Sequence, residues 1–335
     1  MGKLVFVDKE EAVRRMDRWG GEGTPFFFMI DFDMEQCLVE RPENIPADEL
    51  LYSFPRAGNW AGKMPRLKEP FLWKSFPESF GDYSHSFDIV RRNIWEGNTF
   101  LINLTCATPV ETDLSLFRIF VRAEALYKLW LKDRFVVFSP EIFVRIQDGF
   151  ISSHPMKGTI DASVPDAGLR LLSDEKETAE HATITDLIRN DLSQIADEVT
   201  VMRYRYLDEV DTHDGRLLQM SSEIRGRLPL DYARRLGELF FRLLPAGSVT
   251  GAPKKKTVDI IREAENYSRG FYTGVMGYFD GKDLDSAVMI RFLEQEAGGK
   301  LVFKSGGGIT FLSDVRDEYE EMKRKVYWKG IKHLG

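Results

Sequence analysis

GVMGYFDG (274–281), SAVMIRFLEQ (286–295) and KLVFKSGGGITF (300–311) read as three strands of a meander, and SDVRDEYEEMKRK (313–325) after them reads as a closing helix. Upstream, RLLQMSSEIRG (216–226) and VTVMRYRYLDEV (199–210) read as two more strands, preceded by a helix over EKETAEHATITDLIRND (175–191). A further helix starting at Asp231 runs up to LLPAGSVTGAPKKK (243–256). RFVVF (134–138) and IFVRI (142–146) form a region of paired strands, and a helix from Ser86 leads into the strand TFLINLTCATPV (99–110). The first ninety residues alternate short strand-like runs such as FFFMIDF (26–32) with loops bearing Pro and Gly. Strands grouped at both ends with helices between them predict an α+β fold rather than a parallel α/β sheet.

The two glutamate pairs, Glu177/Glu180 and Glu318/Glu321, carry the first functional signal. An i, i+3 spacing puts both carboxylates of a pair on one side of a helix. Ile184, Leu187, Ile188, Leu192 and Ile195 mark the apolar stripe of the first helix, and at about 100° per residue Glu177 and Glu180 fall inside it. In the last helix Val315, Tyr319, Met322 and Val326 form the stripe, with Glu318, Glu321 and Lys325 along one flank. An isolated ExxE is ordinarily a solvated helix face. Carboxylates on a core stripe need a partner, and two such helices facing each other would offer four hard oxygen ligands suited to Mg²⁺.

Between these helices, Asp148-Gly149 predicts a two-residue hairpin turn. Extended from that turn, the register sets Glu141 opposite Met156 and diagonal to Lys157; a three-residue bulged loop would set it opposite Lys157 itself. AGSVTGAPKKK lacks the Lys-Ser/Thr ending of a P-loop. Gly306 to Gly308 could present backbone N–H groups to a carboxylate or could be a flexible turn. Arg291, centred in AVMIRFL, needs an anion, supplied by a ligand or by a carboxylate such as Asp285.

Bulk properties narrow the classes. At 335 residues the chain is one large layered domain or two packed closely together. The formal net charge of −7 gives no electrostatic footprint for nucleic acid. Cys37 and Cys106 have no metal-ligand spacing and no motif that would activate a thiol, which fits a cytoplasmic location. MGKLVFVDKEEAVRR lacks the apolar core of a signal peptide, so neither export nor a membrane span is expected.

In order along the chain, GNTFLINLT, SPEIF, HPMKGT, AEHATITDLIRNDL, LPAGSVTGAPKKK, RGFYTGVMGY, MIRF and GGGITFLSD resemble the motifs of the chorismate-utilising family. That family comprises the anthranilate synthase large subunit, aminodeoxychorismate synthase component I, isochorismate synthase and salicylate synthase. The resemblance runs from about Gly97 to Lys325. It implies a large two-sheet β core with flanking helices, in which residues 1–90 form an N-terminal portion shorter than usual and 91–335 form the chorismate-binding catalytic region, the two intertwined as one domain.

Within the family a PxKGT lysine marks aminodeoxychorismate synthases and PIAGT marks anthranilate synthases; this chain has PMKGT. The resemblance therefore implies formation of 4-amino-4-deoxychorismate, on the para-aminobenzoate and folate route. Lys157 would bond ring C2 and displace the C4 hydroxyl, with Glu141 as general acid. Mg²⁺ on Glu177, Glu180, Glu318 and Glu321 would receive the ring carboxylate. Arg291 and Tyr272 match residues that hold the enolpyruvyl carboxylate, and Thr250, Gly307, Gly308 and Lys325 match other substrate contacts. No cysteine-based glutaminase is evident, so ammonia is expected from a separate glutamine amidotransferase subunit. No pyridoxal-phosphate lyase domain accompanies the chain, and the reaction should stop at the aminated intermediate.

Two positions depart from the family pattern. Leu101 stands where amino-transferring members carry Gln and where isochorismate and salicylate synthases carry a water-activating Lys, and Gln219 replaces a family histidine. No tryptophan-binding LLES segment is recognisable, so feedback by tryptophan is not expected. Anthranilate synthase component I and a non-catalytic chorismate-binding subunit are the alternative readings.

Overall fold

The computed structural model describes residues 3–62, 71–212 and 215–327, without the side chains of residues 157, 176 and 210–212. The helices are α1 (Lys9–Glu22), α2 (Phe80–Trp95), α3 (Leu116–Arg122), α4 (Ala167–Ser173), α5 (Glu175–Leu192), α6 (Leu236–Arg242), α7 (Lys254–Ala264) and α8 (Val315–Arg324). The strands begin with β1 (Phe26–Ile30), β2 (Cys37–Glu40), β3 (Leu50–Ser53), β4 (Trp73–Ser75), β5 (Leu101–Thr112), β6 (Tyr127–Leu131), β7 (Phe135–Ser139) and β8 (Ile142–Gln147). They continue with β9 (Phe150–Ser153), β10 (Met156–Asp161), β11 (Asp197–Thr212), β12 (Gly215–Arg227), β13 (Gly251–Ala252), β14 (Val275–Phe279), β15 (Leu284–Val288), β16 (Phe292–Gln295) and β17 (Leu301–Ile309).

These strands form two sheets, and every ladder among the described residues is antiparallel. The first runs β10-β12-β9-β8-β15-β14-β1-β2, with β11 also on β12; the second runs β13-β5-β17-β16-β7-β6-β3, with β4 also on β5. The α+β expectation and the two-sheet core both hold. No described helix is long and apolar enough to cross a membrane.

Strand β1 shows why the sheets stack. Side chains alternate between faces of a strand, and in FFFMI both sets are apolar and fully buried. Phe26, Phe28 and Ile30 join the core beneath α1, α5 and α6, while Phe27 and Met29 join the core shared with β6, β7 and β16 of the other sheet. Full burial of each such side chain is worth roughly 1.5–3 kcal/mol relative to exposure. A separate cluster covers the outer face of the second sheet, joining Ile102, Leu104 and Ile309 to Phe87 of α2, Ile260 of α7 and Met322 of α8. The result is four layers, helix–sheet–sheet–helix.

The terminal meander differs from its sequence reading. SAVMIRFLEQ is not one strand: β15 ends at Val288 in the first sheet and β16 begins at Phe292 in the second, so residues 289–291 cross between sheets. RFVVF and IFVRI are divided in the same way, β7 pairing with β6 and β16 while β8 pairs with β15 and β9. The first ninety residues also hold a helix, α1, capped by Asp8 and burying Ala12, Met16 and Trp19. They give β1 and β2 to one sheet and β3 and β4 to the other.

Candidate active site

Three strands of the second sheet align three of the six expected substrate contacts, Thr250, Gly307 and Gly308. Gly251 of β13 pairs with Ile102 of β5, and Ile309 of β17 pairs with Ile102 from the other side. One rung along, Asn103 donates its backbone N–H to Thr250 O (3.0 Å) and lies opposite Gly308. A side chain at Gly251 would put its Cβ 1.9 Å from Leu101 O, and φ there is 122°, so only glycine admits this approach. Gly306–Gly308 is neither a loop nor a flexible turn: it is the end of β17, laddered to Thr105, Leu104 and Asn103. Strand β16 begins at Phe292, opposite Lys304.

Helix α8 meets this glycine run. Asp314 caps it by accepting from the N–H groups of Arg316 and Asp317. A Cβ at Gly307 would lie 3.4 Å from Glu318 Oε2, 3.6 Å from Glu321 Oε1 and 3.7 Å from Lys325 Nζ, so three charged ends converge on one small space. Lys325 Nζ pairs with Glu321 at 2.7 Å and donates to Gly306 O at 2.9 Å. Glu318 is 3% exposed, as its place beside the stripe predicts.

Helix α5 builds a second, similar arrangement. Asp174 caps it by accepting from Glu177 N–H (2.9 Å), and Ile184, Leu187, Ile188 and Leu192 anchor it in the core. Glu177 Oε2 lies 3.1 Å from where a Cβ on Gly158 would be. Glu180 is 7% exposed. Gly158 has φ 72° and marks a shift of register in β10 between Lys157 and Thr159. The Lys157 backbone pairs with Met220 on β12; its side chain lies outside what is described. His181, also on α5, exchanges a 2.7 Å hydrogen bond with Ser222, whose N–H reaches Pro155 O. The donor chemistry of the four glutamates suits a hard divalent cation. They stand as two pairs, and among the described residues no group of three or more acidic, His or Cys side chains is disposed to hold a metal.

Glu141 reaches the site by a different route from the one its sequence suggests. The Asp148-Gly149 turn forms as expected, both residues at positive φ, with Gln147, Ile146 and Arg145 facing Phe150, Ile151 and Ser152. The ladder stops there. The start of β8 turns to β15, with Val288 N–H donating to Glu141 O, while Lys157 continues into β10 against β12. Register therefore does not oppose Glu141 to Lys157. Glu141 instead lines a small cleft with Ser153, Pro155, Asp191, Gly247 and Ser248. In it Ser248 Oγ donates to Glu141 Oε1 at 2.6 Å. Lys254 Nζ pairs with Asp191 Oδ2 at 2.8 Å and donates to Leu243 O at 2.6 Å. Burial pushes the Asp191 carboxyl up and the Lys254 amine down, each partly offset by the other.

Arg291 is not in the centre of a strand. It occupies the crossing between sheets at φ 53°, its guanidinium 4.5 Å from the Tyr327 ring just after α8. Its Nη1 is buried and has no hydrogen-bond partner among the described residues. Asp285, the structural partner considered for it, is bonded instead by Tyr127 (2.5 Å) and Arg145 (2.9 Å). Tyr272, 3% exposed, packs its ring 6.0 Å from that of Phe292, the first residue after the crossing, and burial raises its hydroxyl pKa.

Of the two departures, Leu101 packs into the apolar core, 6% exposed, and Gln219 lies on β12 opposite Thr159 and Asp208. Sequence reading assigned no role to Asn103, Ser248 or Arg269, each of which has partners distant in the chain; only their presence inside GNTFLINLT, LPAGSVTGAPKKK and RGFYTGVMGY hinted at them.

Residues 63–328 match the family model for chorismate binding enzyme. An uncharacterized PabA-like protein of Pasteurella multocida is 47% identical over 94% of this chain and 97% of its own length. An aminodeoxychorismate synthase of Streptomyces pristinaespiralis is 33% identical over 78% of this chain and 38% of its own. Among solved structures, anthranilate synthase component I from Streptococcus pneumoniae superposes with a TM-score of 0.64 at 28% identity, over 77% of this chain and 59% of that one.

Proposed function

The chain belongs to the chorismate-binding enzyme family, and we propose that within it the chain acts as component I of aminodeoxychorismate synthase, adding ammonia to chorismate in the cytoplasm. Lys157 carries this reading. Its backbone lies on β10 between Pro155, which lines the cleft of Glu141, and Gly158, over which Glu177 sits. The name of the Streptomyces relative supports it.

Chorismate is a dianion, and two regions answer its carboxylates. The buried Nη1 of Arg291 suits the enolpyruvyl carboxylate, and Tyr272, whose ring packs against the neighbouring Phe292, is the second contact proposed for it. Thr250, Gly307, Gly308 and Lys325 border the space for the ring carboxylate. Magnesium, held by Glu177, Glu180, Glu318 and Glu321, would add positive charge there.

The neutral Lys157 amine bonds ring C2 while the C4 hydroxyl departs as water with a proton from Glu141. Ammonia then bonds C4, the C2–N bond breaks with its electron pair returning to Lys157, and the surplus proton restores Glu141. Ser248 orients Glu141 for the transfer. Ammonia comes from a separate glutamine amidotransferase, because Cys37 and Cys106 are buried and unsuited to glutaminase chemistry; burial lifts the Cys37 thiol to about 12 and Cys106 higher.

Incubation of the pure chain with chorismate, Mg²⁺ and concentrated ammonium, followed by chromatography and mass analysis, should yield 4-amino-4-deoxychorismate. Lys157→Ala should lower that product at least a hundredfold, as loss of a covalent nucleophile does. Anthranilate from the unaltered chain, or undiminished product from Lys157→Ala, overturns the assignment.

A further inference from the structure

Beneath the Thr250–Asn103–Gly308 rung lies an arginine that no motif reading singled out. Arg269 is 2% exposed, and all five of its N–H groups have acceptors. Nε and Nη2 grip Glu265 at 2.9 and 2.6 Å as a bidentate pair. Nη1 donates to Val249 O at 2.7 Å and to Thr273 Oγ1 at 3.4 Å, and Nη2 donates to Asn103 O at 2.6 Å. The guanidinium lies 4.7 Å from the Phe32 ring.

The two carbonyls are the informative contacts. Val249 immediately precedes Thr250, and its O also accepts from Asn103 Nδ2 at 3.2 Å. Asn103 is the residue whose N–H holds Thr250. One planar fork thus ties the turn 247–249 to β5 on both sides of the rung. Glu265 reinforces the tie from the other direction, accepting from Thr105 N–H at 2.9 Å and Thr105 Oγ1 at 2.8 Å. Lysine could not reproduce this, since its point charge lacks the fixed fork.

We infer that Arg269, braced by Glu265, is a positioning residue that fixes Thr250, Asn103 and Gly308 in the spacing the substrate requires. That substrate assignment rests on the proposed function; the bracing does not.

The test uses the full chain and two variants. Arg269→Met/Glu265→Met removes both buried charges together, so it leaves no stranded ion; Arg269→Lys keeps the charge and loses the fork. Two readouts are taken: amide hydrogen exchange, and steady-state kinetics with chorismate. In the double variant, exchange in 102–104 and 247–251 should quicken at least tenfold while the first sheet stays as protected as before. KM for chorismate should rise about ten- to a hundredfold, as for loss of charge-assisted hydrogen bonds, with a smaller change in kcat. Arg269→Lys should fall between the double variant and the unaltered chain in both, and it carries the test alone if the double variant does not fold. Unchanged exchange and KM in a folded variant overturn the positioning role. If the unaltered chain takes up no chorismate, the proposed function fails and the exchange readout alone decides the role of Arg269.

Discussion

Arg269 and Arg291 stand in contrasting surroundings. Arg269 has every donor matched by protein, whereas Arg291, at the crossing between sheets, keeps a buried Nη1 that finds no acceptor among the described residues. A cation fully satisfied within the fold shapes structure, and one left with a buried donor facing no acceptor is held ready for an anion. Of the two guanidinium groups, the less satisfied one is the proposed anion contact.

The strongest way to break this contrast is through stability. Arg269→Met alone strands the Glu265 carboxylate and should cost about 3–5 kcal/mol, measured by denaturant titration; a loss under about 1 kcal/mol, no more than a typical surface change, would remove the contrast. Arg291→Met should change stability by less than about 1 kcal/mol yet weaken chorismate binding by about 1.5–3 kcal/mol, ten- to a hundredfold in Kd by titration calorimetry. Unaltered Kd in that variant would dismiss Arg291 as an anion contact. Ser248→Ala removes a single neutral donor from Glu141 and should lower kcat about fivefold, near 1 kcal/mol, with KM little moved; an equal rise in KM would place Ser248 on the substrate instead.

The smallest effect concerns a group whose charge the fold disfavours. Burial holds His154, three residues before Lys157, below its ordinary 6.5. The unfolded chain therefore takes up this proton before the folded chain does, so the stability this histidine confers is intact above 6.5 and declines as pH falls through the window beneath it. Melting curves between pH 7.5 and 5 should show a loss that His154→Gln reduces; an identical slope in the variant would count against it.

Local structure was more legible in the sequence than long-range pairing. The stripe of Ile184, Leu187, Ile188 and Leu192 foretold the burial of Glu180, and Asp148-Gly149 foretold its turn with the right register. Sheet membership was hidden, because a mostly apolar run such as AVMIRFL looks the same whether it is one strand or two strands of different sheets joined by a tight crossing. The Glu141–Lys157 pairing failed for a related reason: a turn sets register only while its ladder persists, and this one ends at Arg145 and Ser152. The triple glycine read as a possible turn because composition alone does not reveal a partner strand. The role of Arg269 was invisible because its acceptors are scattered over residues 103, 249, 265 and 273.

The three-residue crossing at 289–291 has a mechanical consequence. Arg291 belongs to the link between the two sheets and rests on Tyr327, which trails from α8. An anion seated on Nη1 is gripped at the joint where both slabs of the sandwich and the last helix meet, and it acts there as a rivet against shear. Pulling the chain from its ends should therefore demand more force with ligand bound than without.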